Sequence, residues 1–410
     1  MEQGGLPLVL HRNKKGKNVL SELHDPDRAG KGILSFLNAQ TASALRGTSA
    51  FARNSVTEGY LGSKEVVIRG PIAQWRAANP NAIYANISGR KDLTDEDFVY
   101  LRGVKYLNMS RCDQASITDN AFAHLRGIHT LYMRGCNQEG ITDKAFAHLR
   151  GIHTLWMFNC SQAGITDNAF AHLRGIHTLD MRRCNQAGIT DAAFAHLRGI
   201  HTLDMSYCNQ AGITDTAFAH LRGIHTLEMS GCDQPGITDN AFSHLRGIRT
   251  LKISWCNQVG ITDNAFAHLR GIRTLDMSCC SQAGITDNAF THLRGIQTLD
   301  MGDCDQAGIT GETLYMLGDN LQQLYIGYCN DDTIRNANIF FGVTPMSSSV
   351  TRHIRPVDEE KNAVVGKNQQ ALSGSGLGTW GGRRTRGLRI KRKSKKTRTY
   401  RYTRKTRVRR

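Results

Sequence analysis

Eleven cysteines and sixteen histidines are the side chains with the most chemistry to offer in this 410-residue chain. Thiolate and imidazole are ordinary metal ligands, and a histidine beside a thiol or hydroxyl is the usual beginning of a nucleophilic site. A metal site needs its ligands to converge on one point, most often through a short pair such as C-x2-C. Here nine cysteines stand at Cys112, Cys136, Cys160, Cys184, Cys208, Cys232, Cys256, Cys280 and Cys304, one every 24 residues. Cys329 follows one residue late and Cys279 is out of series. Histidine recurs eight times from His124 to His292 and five times from His129 to His225, again every 24. This spacing predicts parallel rows rather than clusters, with the thiols packed as small apolar groups under turns. No Ser/His/Asp set, Walker-type loop or H-E-x-x-H motif occurs, so the sequence implies no catalytic residue, no metal and no cofactor.

The elements that carry these rows follow from one unit, GIHTLDMSYCNQAGITDTAFAHLR, Gly199 to Arg222. Ile200, Leu203, Met205 and Cys208 are spaced to turn inward, and the Leu203/Met205 alternation predicts a short strand. A polar turn, Asn209 to Gly212, leads to Ile213 as the next inward anchor. Thr214 and Asp215 are helix N-cap types, and Phe218 and Leu221 share one face of a helix expected to run about two turns. Gly223 stands where a helix end favours a left-handed residue. One unit cannot bury its own apolar edge, but stacked units share a continuous core.

The repeated pattern resembles the leucine-rich repeat, L-x-x-L-x-L-x-x-C, in its cysteine-containing form with I-T-D at the helix entry. It covers about Ile83 to Phe341 in roughly ten units. The resemblance implies an α/β leucine-rich-repeat solenoid, curved, with parallel β-strands on the concave face and short helices on the convex one. The first unit lacks the cysteine and the last loses the T-D-x-A-F wording, as terminal caps would.

Variation among the units concentrates at three positions around the strand. Between the two strand anchors stand Asn108, Tyr132, Trp156, Asp180, Asp204, Glu228, Lys252, Asp276 and Asp300. Two residues on, the row includes Arg134, Phe158 and Arg182 and is otherwise mostly serine. The next residue varies most and includes Arg183, Tyr207, Trp255 and Asp303. Strand alternation points the first two rows out of the concave face and puts the third at its edge. Aromatic and Arg residues on an exposed face are typical interface anchors, so this face is expected to bind a target protein. Tyr132, Arg134, Trp156, Phe158, Arg182 and Arg183 form its aromatic-basic part, and Asp204, Glu228, Asp276, Asp300 and Asp303 its acidic part, which predicts a partner polarised in charge.

Net charge is +17, but 16 Lys and Arg lie between Arg383 and Arg410 with no Asp or Glu, leaving 36 basic against 35 acidic residues elsewhere. The organisation expected is an extension (1–32), a helical segment (33–56), a connector (57–82), the solenoid (83–341), a flexible linker (342–382) and a disordered basic tail (383–410). In the second of these, Ile33-Leu-Ser-Phe-Leu37 with Leu45, Ser49, Arg53 and Val56 resembles an F-box, although Asp25-Pro-Asp27 stands where an L-P opening is usual. That resemblance implies docking of Ile33, Leu34 and Leu37 onto a Skp adaptor of a cullin-type ubiquitin ligase. The alternative is an amphipathic helical pair capping the solenoid. Arg389, Lys391, Arg392, Lys393, Lys395 and Lys396 in the tail suit an import receptor or a nucleic-acid backbone. No apolar run reaches the ~18 residues of a membrane span, and Met1 to Leu10 does not read as a secretory signal. The expectation is an intracellular monomer, cytoplasmic or nuclear, with free thiols. Its function would be substrate recognition for a Skp/cullin/F-box ligase or, without the ligase link, an interaction scaffold directed by its tail to nucleus or nucleic acid.

Overall fold

The computed structural model describes residues 66–341, together with the single position Ala44. The described residues all lie within one compact unit. The F-box-like segment 33–56, Ala44 apart, and the basic tail lie outside the described residues.

Each coil begins with three residues of strand, and the coils stack into one eleven-stranded parallel sheet in chain order, from Tyr84–Asn86 to Gln323–Tyr325. Register is exact from coil to coil: Thr202, Leu203 and Asp204 face Thr226, Leu227 and Glu228. In the coils between the two terminal ones, the central leucine of the strand, the Met or Ile two residues after it, the cysteine and the Ile of the helical side are buried. Leu203, Met205, Cys208, Ile213, Phe218 and Leu221 thus repeat along one continuous core. This is the leucine-rich-repeat solenoid that the 24-residue period implies.

The helices are shorter than expected. Asp215–Phe218 makes a single turn, not two, because Leu221 and Ile224 must also reach the core before the next strand. Gly223 adopts φ +84°, the left-handed residue anticipated after the helix. Thr214 is the N-cap and its hydroxyl accepts a hydrogen bond from the Thr216 N–H at 3.3 Å. Asp215, also a capping type, serves a different purpose. Its carboxylate accepts the Thr238 N–H at 2.7 Å and the Thr238 hydroxyl at 2.6 Å, one coil further on. The same pair of bonds links Asp95 to Thr118, Asp119 to Thr142, and so on to Asp287 and Thr310. A Cβ on Gly236 would lie 2.9 Å from the Thr214 methyl, so the turn glycine is what lets the coils approach closely enough for this ladder.

The ends depart from the repeat. Part of the segment read as connector, Ile72–Ala78, is a helix that buries Ile72 against the first coil. Its Arg76 guanidinium donates to the carbonyls of Ala82, Tyr100 and Arg102, satisfying acceptors that no preceding coil covers. At the far end a 3-10 turn, Leu314–Leu317, replaces the usual helix, and Asp331–Phe341 closes the core. There the buried Thr333 hydroxyl donates to the Ile309 carbonyl at 2.8 Å.

Asp215→Ala removes both acceptors from Thr238 and is expected to cost about 2–3 kcal/mol, read from urea unfolding followed by circular dichroism. Asp215→Asn, which keeps one acceptor in place, should lose about half as much. A cost for Asp215→Ala below about 0.5 kcal/mol would show the ladder to be incidental.

Candidate functional site

The cysteine row packs as anticipated and is also hydrogen-bonded. All eleven thiols are free, and ten of them are buried. The Cys208 thiol donates to the Met181 carbonyl at 3.0 Å, and each of its counterparts reaches back to the preceding coil in the same way. Burial pushes the thiols of Cys160, Cys208 and Cys256 up to about 12, so they are protonated and unreactive. The pre-strand histidines, His129 to His225, form a stack with ring centroids 4.1–4.7 Å apart. Among the described residues no group of three His, Cys, Asp or Glu side chains is placed to hold a metal ion. Among them also, no helix is long and apolar enough to cross a membrane.

The variable rows lie together on and beside the sheet. Tyr132 and Trp156 pair at 5.6 Å between centroids. Next to them the Phe158 ring is surrounded by guanidinium groups, with Arg134 at 4.5 Å, Arg182 at 5.1 Å and Arg183 at 5.9 Å from its centroid. Arg183 also stands 5.1 Å from the Tyr207 ring. Four consecutive coils therefore present one continuous aromatic and cationic patch. Such cation–π contacts contribute roughly 0.5–2 kcal/mol each. Among the described residues Arg134 and Arg183 have no carboxylate within ion-pair distance, whereas Arg182 bridges Asp180 at 2.6 Å and Asp204 at 3.0 Å.

Asp180 is set apart from the other face residues. It is only 3% exposed, and both its oxygens accept from Arg182, so it supports the patch from beneath. Asp204 shares that one guanidinium. Burial pushes its carboxyl up to about 6, against the lowering effects of Ser206 and Arg182. Glu228 pairs with Lys252 at 2.9 Å. Asp276 accepts from the backbone and hydroxyl of Ser278, and Asp300 accepts from the Gly302 N–H. Burial, with Asp276 and Asp303 nearby, raises the Asp300 carboxyl. The C-terminal coils thus carry Asp276, Asp300 and Asp303 without a cationic partner among the described residues.

The third variable row holds the feature that sequence reading missed. Arg111, Asn159, Arg183, Tyr207, Trp255, Cys279, Asp303 and Tyr328 all have φ between +55° and +61°. At this point the chain turns out of the strand so that the following cysteine can face the core, and a left-handed residue makes that turn. Gly89, Gly135 and Gly231 use the residue type suited to it. For a non-glycine residue the left-handed conformation costs roughly 1–2 kcal/mol, and Trp and Tyr have no local hydrogen bond to offset it. Their rings are nevertheless exposed, Tyr207 by 42% and Trp255 by 57%. Gly231 has a further role, since a Cβ there would meet the Tyr207 ring at 2.5 Å. The glycine lets the Tyr207 ring lie across the next coil.

Comparison with known proteins follows the fold. A family model described as the BspA type leucine rich repeat region matches in six copies, over residues 115–244 and 164–297. No curated protein sequence matches the chain. Among solved structures, an internalin (InlF) from Listeria monocytogenes superposes with a TM-score of 0.51 at 16% identity, covering 81% of this chain and 96% of that one. Toll, in its glycosylated complex with Spätzle from Drosophila, gives 0.51 at 16% identity over 67% of this chain and 39% of Toll. TLR13 in complex with ssRNA13 gives 0.50 at 17% identity over 62% and 37%. The chain thus spans well under half the length of the Toll and TLR13 chains, and at these identities the likeness is one of fold.

Two measurements test the site. Trp255→Gly relieves the left-handed strain while losing the ring, and is expected to leave stability unchanged or raise it by about 1 kcal/mol. A clear loss in thermal melts would mean that the ring holds the coils together. The histidines supply a pH test. Burial first, then like-charged neighbours, lowers His153 (His129, His177) and His201 (His225, His177, Arg249) below the usual imidazole value. Burial and the adjacent Arg126 and Arg222 do the same to His148 and His244, with Asp119 and Asp215 opposing. A folded-state pKa below the unfolded one means that the unfolded chain takes up protons first, so stability falls as pH drops below about 6.5. Asp204, raised in the fold, works in the opposite direction from about pH 6 downward. With four lowered histidines against it, Tm is expected to be lower at pH 5.5 than at pH 7.5, and the drop between the two to be larger in Asp204→Asn, which lacks the opposing group. Equal melts at the two pH values in both proteins would rule this out.

Proposed function

We propose that this chain, a leucine-rich-repeat protein, is a binding scaffold whose sheet face holds a target protein while residues 33–56 tether it to a Skp-type adaptor. The observation that carries the first half is the patch built from Tyr132, Trp156, Arg134, Phe158, Arg183 and Tyr207. Its rings and unpaired guanidinium groups are exposed or half-buried, and Arg183 and Tyr207 are large side chains at a left-handed position that glycine suits best. Large aromatic and Arg residues held rigidly at the centre of a surface are the side chains that dominate binding free energy at protein interfaces. The acidic coils beyond, with Asp276, Asp300 and Asp303, favour a target carrying charge of both signs.

The second half rests on the F-box-like residues Ile33, Leu34 and Leu37, which lie outside the described residues. On this reading the chain supplies proximity alone: it holds a target beside a ubiquitin-transferring enzyme, and the covalent chemistry belongs to its partners. The basic tail, with Arg389, Lys391, Arg392, Lys393, Lys395 and Lys396, serves an import receptor or a nucleic-acid backbone and places the protein inside the cell. A scaffold with the same sheet face but no ligase link is the alternative reading.

The test uses the full chain and a purified eukaryotic Skp adaptor in isothermal titration calorimetry. Ile33→Asp, Leu34→Asp and Leu37→Asp together are expected to abolish binding, and Trp156→Ala with Phe158→Ala to leave it unchanged. An adaptor that the parent chain ignores would remove the ligase reading and leave the scaffold.

A further inference from the structure

The side of the solenoid between helix end and strand start is not used by that reading. In eight successive coils this stretch spells A-H-L-R-G-I-H-T, with small changes only, and it contains no Asp or Glu in any of them. With Arg102 in the first coil, nine arginines recur here at intervals of 24, ending at Arg294, and all nine are exposed. None has a carboxylate within ion-pair distance among the described residues. The acidic residues of the same coils are engaged elsewhere, in the Asp–Thr ladder and on the sheet face. Beside the arginines runs the half-buried histidine row from His124 to His292. Lys105, the stacked histidines, Arg249 and Arg273 follow three residues on. A body close to neutral overall therefore carries one uninterrupted cationic edge.

Its uniformity is not a by-product of repetition. Other exposed positions of the same units have changed. The residue after the ladder aspartate is Asn120, Lys144, Ala192 or Thr216 according to the coil, and the exposed turn position holds Glu139, Pro235 or Val259. Nor does structural need explain nine identical residues. Arg102, Arg150, Arg174, Arg198 and Arg222 donate to the Nδ1 atom of the next coil's histidine at 3.1–3.4 Å. Arg126, Arg246, Arg270 and Arg294 make no such bond.

We infer that this edge is a binding site for the phosphodiester backbone of a nucleic acid, separate from the basic tail. Adjacent coils are about 4.8 Å apart, so the nine guanidinium groups form a row roughly 40 Å long. A site that repeats itself unchanged along its length suits a ligand that does the same. A folded protein partner would ask for different side chains in different coils, as the sheet face provides. Arginine is the side chain that best matches phosphate, with a rigid fork of donors and a permanent charge. The edge exposes no apolar side chain to enter a bilayer, which disfavours a lipid surface. The ring faces of the stacked histidines are covered by one another, which leaves backbone contact and not base stacking as the mode. Binding is accordingly insensitive to base sequence.

The experiment measures fluorescence anisotropy of labelled oligouridine RNA and oligothymidine DNA with the full-length chain across a salt series. The edge variant carries Arg150→Gln, Arg174→Gln, Arg198→Gln and Arg222→Gln. A second carries the same four positions as Lys, and a third has Arg389→Gln, Lys391→Gln, Arg392→Gln and Lys393→Gln in the tail. Loss of four phosphate contacts is expected to reduce the slope of log K against log salt by about 3 in the edge variant. The Lys variant should keep the slope, because charge is retained while the histidine hydrogen bonds are not. The tail variant should retain the edge's share of the slope. Preference for RNA or for DNA identifies the physiological strand and supports the proposal either way. An edge variant with the parent's slope and affinity overturns it. So does a Lys variant that loses both binding and Tm, since that would make the row structural. A parent chain that binds phosphatidylserine vesicles but neither oligonucleotide overturns it as well.

Discussion

The close approach of one coil to the next is the constraint from which the other features of this solenoid follow. Hydrophobic packing alone would allow coils to slide or rotate, because a row of identical leucines looks the same after small displacements. The aspartate–threonine ladder removes that freedom. One carboxylate receives both the N–H and the hydroxyl of a threonine 23 residues ahead, while the same threonine oxygen caps its own helix turn. Two directional bonds to a charged acceptor in a half-buried setting fix both distance and angle. The turn glycine beneath each threonine, the thiol reaching back to the preceding coil and the strand register all presuppose that spacing. The cost of ordering so many short elements is offset by making the same contact at every coil.

Translation symmetry of this kind sorts residues by purpose. Inside, any change breaks a row, so Leu203, Met205, Cys208 and Phe218 have near-identical counterparts in every complete unit. Outside, a residue can vary at little structural cost, and the sheet face does vary, from Tyr132 and Trp156 to Asp276 and Asp300. The residue after each strand joins the two regimes. The fold asks it for a left-handed conformation, glycine meets that demand best, and yet Arg183, Tyr207 and Trp255 stand there. Backbone strain accepted for the sake of an exposed ring is stronger evidence of use than exposure by itself.

Much of this could be read in the sequence, and the limits are physical ones. The 24-residue period, the inward anchors, the threonine N-cap and Gly223 follow from local rules, and local rules suffice where a residue's partner is near in the chain. Asp215 was read only as a capping type because its true partner, Thr238, becomes a neighbour only once the coils are stacked in register. The one-turn helices were overestimated because Leu221 looks like the next residue of a helical face when it is an anchor beyond the helix. The left-handed row gave no signal, since the usual marker is glycine and glycine is present in three coils only. Asp180 looked like its exposed neighbours in the alternation pattern. Its burial depends on Arg182 lying over it, a contact between side chains that no periodicity encodes.

Charge illustrates the same separation between what is summed and what is placed. Apart from the tail, basic and acidic residues nearly cancel, which in a compact domain would predict a weak field. A solenoid does not average its charges in that way. Each position in the repeat becomes a line along the array, so a unit that is neutral by count still yields an acidic ladder in one place and a bare arginine edge in another. The acidic ladder keeps its charge, which acts on His148 and His244 beside it, while its carboxylate oxygens are occupied by threonine at each interface. The arginine edge has no carboxylate within ion-pair distance among the described residues, five of its guanidinium groups meeting a histidine ring instead, and its charge acts at a distance of about one Debye length, roughly 8–10 Å. For an array of this kind the relevant electrostatic quantity is the charge per coil along each line. By that measure the edge is a strongly charged line of the described solenoid, with at least one permanent positive charge in each of nine consecutive coils.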